Sequence, residues 1–252
     1  MSDDVVDDGP AFTREAGRVI GSLGGGFMIS PQARSFAKDH GLRGREAYVL
    51  GRGAVLGDVD ADVVISAFGF WPADVIRPAW DGGRAIMPVH EALRKYADVS
   101  RDWGRARFDG YADAGRLAEL LRTVADGADV EAVALFAGWR AVALPSDDEG
   151  RLAQLLHVLR EHRGGLHLVA VVASGLTPHQ AVLSGPGGPD NARFFGYEEP
   201  FEEVSHLIEV RAATEDLTDR LVAPVYDVLG HDERADLLAL LQTAAAHAYA
   251  KA

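Results

Sequence analysis

The chain has 252 residues, 48% hydrophobic and 25% charged, enough for one large domain or two ordinary ones and for a real core. No stretch approaches the ~18 uninterrupted apolar residues of a membrane span, and the absence of cysteine excludes disulfides, thiolate metal sites and cysteine nucleophiles, which suits a reducing cytosol. The formal charge of −13, from 25 basic against 38 acidic residues, argues against nucleic acid, because nonspecific duplex affinity comes from Lys and Arg displacing counterions.

The start carries Asp3, Asp4, Asp7 and Asp8 and has neither the basic flank nor the apolar stretch of a signal peptide. Residues 1–12 are expected as a disordered acidic tail and the protein as cytoplasmic. Helical spacing begins near Thr13, with Ala16, Val19 and Ile20 on one stripe. Ser30-Pro31 reads as an N-cap followed by a first-turn proline, and Gly41 as the left-handed stop of that helix. Further helices are predicted over 45–53, from Asp62, over 73–80, 88–103 and 112–125. In the second half Ser146 opens a helix with Leu152, Leu155, Leu156 and Leu159 on its buried stripe, breaking at Gly164-Gly165. Residues 166–174 continue as a helix or a strand, since Val169, Val171 and Val172 are β-branched. Thr177 caps the next helix, residues 185–189 form a Gly-Pro loop, and helices cover 201–213, 214–229 and 232–250.

An internal offset of 120 residues recurs. It relates Arg43-Gly44 to Arg163-Gly164, Leu56 to Leu176, and Leu117, Leu120, Leu121 and Thr123 to Leu237, Leu240, Leu241 and Thr243. The fold class expected is therefore mainly α: a tandem duplication of a roughly 120-residue helix-turn-helix-like unit with pseudo-twofold symmetry. The first unit covers 13–128 and the second 129–252.

Several blocks carry a family resemblance. They are Gly41-Leu42-Arg43-Gly44 with Tyr48 and 51–57, the Phe68, Phe70, Pro72 run ending near Trp80, residues 161–167 continuing to Ala173-Ser174-Gly175-Leu176, and Thr218-Asp219-Arg220-Leu221 with Pro224, Tyr226, Leu229 and Gly230. These residues resemble an actinobacterial two-copy helix-turn-helix or winged-helix-like family over nearly the whole chain. Gly165 and Leu166 stand where that family has Asp and Gly, and Ser184 where it has His. The resemblance implies a DNA-reading regulator. The hairpin-like insert that would serve as a wing is shortened here to a Glu-rich stretch between Phe201 and Thr218, which weakens that implication.

The densest polar cluster is Glu161, His162, Arg163 and His167. A histidine can exchange protons near neutral pH and an arginine can hold an anion bidentately. Arg43, Arg45, Tyr48 and Arg52 form the matching basic patch of the first unit, with Arg45 and Arg52 on one helix face. Phe68, Phe70, Trp71 and Trp80 stand at a chain corner, suited to inter-unit packing or to the wall of a pocket at the seam between units. No metal or cofactor is expected. His157 and Glu161, four apart beside His162, have no identifiable third ligand, Gly24-Gly25-Gly26 lacks the Lys-Ser/Thr of a phosphate loop, and Gly-x-Ser-x-Gly is absent.

These features converge on a small-molecule-acting protein with its cleft between the two units. The reading is an enzyme of specialised metabolism doing proton-transfer chemistry of the dehydration or cyclisation type, a cofactor-independent lyase or cyclase. His167 would transfer the proton, Arg163 anchor an anion, and Tyr48 donate to a developing oxyanion. Arg43, Arg52, Glu161, His162, Phe68, Phe70, Trp71 and Trp80 would bind substrate. The partner expected is a small-molecule ligand, with no membrane and no nucleic acid, and a homodimer stays open. A transcriptional regulator and a non-catalytic ligand-binding module are the alternatives.

Overall fold

The computed structural model describes residues 3–250, and among them every regular element is a helix. The mainly α class follows. No helix among the described residues is long and apolar enough to cross a membrane.

The acidic start is helical, contrary to the expected tail. α1 (Asp3–Asp7) leads directly into α2 (Gly9–Gly26), whose N-terminus Asp8 caps by accepting from the Ala11 N–H at 3.1 Å. Val6 and Phe12 are buried, so apolar anchoring overrides the charge pattern that suggested disorder.

α3 (Pro31–Asp39) begins at Ser30, whose hydroxyl accepts from the Ala33 N–H at 3.1 Å. It ends in a Schellman turn. Gly41, at φ 70°, donates to Lys38 O, and buried Leu42 donates to Ala37 O at 2.9 Å. α4 (Gly44–Gly53) follows, braced at its start by Glu46, which accepts from the Arg43 backbone N–H and its Nε, both at 2.8 Å. A helix, a four-residue turn (40–43) containing glycine and a second helix make a helix-turn-helix unit.

Next come α5 (Ala61–Phe68), opened by Asp60 rather than Asp62, α6 (Ala73–Ile86), α7 (Val89–Arg107) and α8 (Ala114–Gly127). Sequence spacing missed α9 (Ala134–Arg140), a short helix whose Leu135, Phe136 and Trp139 are buried.

The central element is α10 (Asp148–Ala173), capped by Asp147 rather than Ser146. It packs against α2, α7, α8, α9 and α13 (Ile208–Val222). Residues 152 to 159 of α10 are all buried, the pattern of a helix surrounded on every side. It runs unbroken through Gly164-Gly165. A Cβ at Gly165 would sit 2.6 Å from Val133, so packing holds this glycine in the helix despite its low propensity.

α11 (Pro178–Leu183) carries the expected Thr177 cap, now a full capping box with Gln180. The Gly-Pro stretch expected as a loop gives way to α12 (Gly188–Phe195), where Pro189 occupies the first turn. The stretch from 201 to 207 is loop and a single 3-10 turn, α13 is one helix where two were predicted to meet, and α14 (His231–Ala250) closes the chain. One continuous apolar cluster runs from Phe12 to Ala248, so the two halves share a core.

Candidate functional site

A cleft of about 640 Å³ opens where α4, α5 and the aromatic corner of the first half face α10 of the second, with α2 and residues 130–135 completing its walls. It gathers Tyr48, Arg52, Phe68, Phe70, Trp71, Glu161 and Arg163 from the sequence-predicted set. The seam between halves is where such a pocket was expected.

Its floor is a buried ion pair. Arg52 meets Glu161 bidentately, Nε to Oε1 at 2.8 Å and Nη2 to Oε2 at 2.7 Å, and Arg160 Nη1 adds a bond to Oε1 at 3.1 Å. Arg52 also donates to Tyr48 Oη at 3.1 Å and lies 4.5 Å over the Phe68 ring. Burial alone would raise the Glu161 carboxyl, but the Arg52 charge and hydrogen bonds overcome it and hold the group at about 2. Above this floor Tyr48, Trp71 and Phe195 form an aromatic wall, with ring centroids 5.3 Å and 4.9 Å apart. Ala132 lines the rim with φ 62°, a conformation that a β-carbon disfavours.

Arg163 reaches out of α10 to Glu215 at 2.9 Å and Asp219 at 3.4 Å on α13. His167 is not brought into the cleft. Its ring stacks behind Phe70, centroids 5.4 Å apart, and both nitrogens are engaged. Thr218 Oγ1 gives its single proton to Thr214 O, so it accepts from His167 Nδ1 at 2.9 Å, leaving Nε2 to accept from Arg211 at 3.4 Å. Burial pushes this imidazole down to about 4, with Glu215 opposing and Arg211 and Arg163 reinforcing. The histidine is neutral at pH 7 and braces α10 to α13.

His162 is buried edge-on against Phe136 and sits outside the cleft, and Trp80 is a core residue whose indole donates to Val59 O at 3.0 Å. Arg43 is exposed at the start of α4 and paired with Glu46, so it does not converge with Arg163 on the seam. Arg45 is exposed as well. Sequence reading missed Arg160, Gly164, Leu168 and Phe195. Arg160, Gly164 and Leu168 are spaced i, i+4, i+8 on α10, a stripe that becomes visible once the helix is known to pass through the glycine pair.

On α4, Arg45, Tyr48 and Arg52 share the face left over after Ala47, Leu50 and Gly51 pack inward. In a helix-turn-helix protein the exposed residues of the second helix enter the major groove. Here Tyr48 and Arg52 are turned into the cleft, and α10 covers Arg52 through Glu161. No curated protein and no solved structure matches the chain. A helix-turn-helix family matches residues 13–195, α2 through α12, and the chain belongs to that family.

Proposed function

We propose that this protein binds a small molecule in the cleft between its halves, on a helix-turn-helix scaffold whose groove-reading face has been given over to that cleft. The observation that carries the reading is the Arg52–Glu161 pair, which ties the face of α4 to α10. A 640 Å³ cleft with a mainly aromatic and aliphatic wall has the size and chemistry of a ligand site. Binding is favoured over turnover. Glu161 is held ionised by Arg52, and His167 has both nitrogens occupied, so neither is poised to exchange a proton near neutral pH.

The test uses Gly164, which lines the cleft and where an added Cβ would meet nothing within 4 Å. A Gly164→Leu side chain therefore starts into open space and takes up room in the cleft. The neutral fluorophore N-phenyl-1-naphthylamine should bind the wild type saturably at 1:1 and should not bind Gly164→Leu. Failure to saturate, or equal binding by the variant, would sink the reading.

The regulator reading keeps two observations in its favour, the α3–turn–α4 arrangement and family membership. The charge of −13 opposes it. A gel shift with the DNA upstream of its own gene at physiological salt should show no retardation; specific retardation would restore the regulator.

A tandem origin of the halves belongs to the same proposal. Shifted by 120 residues, α7 covers 209–227, where α13 and the following 3-10 turn lie, and α8 covers 234–247 within α14. The same shift lays α3, its turn and α4 onto uninterrupted α10. Superposition of residues 89–127 on 209–247 should align the helices head to head; opposed directions would end the duplication.

A further inference from the structure

We infer that the cleft takes an amphipathic organic anion, its carboxylate or sulfonate head held by Arg160 and its flat apolar body lying toward Phe70 and Trp71. This rests on the ligand-binding reading of the cleft.

Arg160 and Arg163 both line the cleft from α10, but their guanidiniums diverge: Arg160 turns to Glu161, and Arg163 is paired with Glu215 and Asp219 on α13. Among the described residues, Nε and Nη2 of Arg160 and Nη1 of Arg163 have no protein acceptor, and none of these three atoms is enclosed. The one acid lining the cleft is Glu161, which is 1% exposed and has both oxygens held by Arg52. An entering anion therefore meets free guanidinium donors and no free carboxylate.

The arginines have been given room. An added Cβ at Gly25 would come within 3.0 Å of Arg160 Nε, and one at Gly17 within 3.1 Å of Arg163 Nε. Gly17 and Gly25 stand eight residues apart on α2, about 12 Å, so the two guanidiniums lie apart and a single head group rests on Arg160, whose Nε and Nη2 are both free. Further along the same α10 face come Gly164, bare toward the cleft, and Leu168, which presses on Gly69 beside Phe70. Eight residues of helix separate Arg160 from Leu168, about 12 Å. The cleft is thus cationic at one end and apolar at the other.

Charge of the whole chain sharpens the ligand class. A surface of −13 repels simple anions at long range, so a head group alone gains little. The apolar body has to supply most of the affinity and Arg160 the orientation.

Two fluorophores of one shape separate the contributions: 8-anilinonaphthalene-1-sulfonate, and N-phenyl-1-naphthylamine, which lacks the sulfonate. The sulfonate should bind the wild type roughly tenfold more tightly than the neutral compound. Arg160→Gln, which leaves the bidentate Arg52–Glu161 contact in place, should bring the two affinities to within about threefold, and Arg160→Lys should recover most of the preference. Melting curves of the variants confirm that each is folded. Equal affinities in the wild type, or a preference unchanged in Arg160→Gln, would overturn the anion assignment while saturable binding of the neutral fluorophore kept the cleft reading. Absence of both fluorophores from the wild type, or their retention by Gly164→Leu, removes the cleft reading itself.

Discussion

At the scale of single residues, the buried Arg52–Glu161 pair decides most about the site. Two charges taken out of water are stabilised here by bidentate geometry, a second guanidinium and the Phe68 face. Such a pair contributes little net stability over apolar residues of the same volume, yet removing one partner strands the other. Glu161→Met should therefore cost about 3–5 kcal/mol in urea denaturation, and the double variant Arg52→Met, Glu161→Met should recover a large part of that loss. Equal losses in the single and double variants would show that the pair itself is the stabilising element. Sequence reading found both residues but assigned them to separate patches, because the contact spans 109 positions and no local pattern encodes it. It assigned His167 to proton transfer from its neighbours in sequence. The partners that occupy its nitrogens, Thr218 and Arg211, lie on α13, some fifty residues on.

At the scale of elements, helix caps and stripes were legible and helix continuity was not. Ser30, Gly41 and Thr177 announce their boundaries through local hydrogen bonds, and the structure uses each. Gly164-Gly165 has the local signature of a break, but the helix is held by its surroundings, which sequence spacing does not contain. The glycines differ accordingly. An added Cβ at Gly24 would lie 2.4 Å from Leu156 O, a backbone atom of α10 that cannot retreat without moving the helix. At Gly164 the same atom would meet open space. Gly24→Ala should destabilise by about 1–3 kcal/mol through overpacking, whereas Gly164→Ala should stabilise by up to about 1 kcal/mol through helix propensity. Thermal melts of the two variants should move in opposite directions. A fall in both would show that Gly164 serves the helix as well as the cleft.

At the scale of the whole molecule, one core with one central helix concentrates the titratable groups that matter. His157, His162 and His167 all lie on α10, and burial lowers each of them, to about 3, about 4 and about 4. Glu161 pulls His157 back up while Arg160 and Arg52 push it down; Arg140 lowers His162 against Asp129; Glu215 opposes Arg211 and Arg163 at His167. A histidine whose folded value is depressed contributes stability that is fully present above its unfolded value near 6.5 and is lost as pH falls toward the folded value. Between about pH 6 and 4 the unfolded chain therefore binds up to three more protons at these sites than the folded one, a slope of up to about 4 kcal/mol per pH unit. Glu161 acts lower down. Its carboxyl, held at about 2, keeps its contribution until pH drops below about 4, so the histidines fail first. Urea titrations at pH 7, 6 and 5 should show stability falling by up to about 2 kcal/mol in the first step and up to about 3.5 kcal/mol in the second. His162→Phe, which removes one of the three groups from a site packed against Phe136, should lower the slope by about a third. Stability that stayed flat from pH 7 to 5 would mean that α10 opens enough for its histidines to be protonated in the folded state, and the tightly surrounded central helix described above would have to be abandoned.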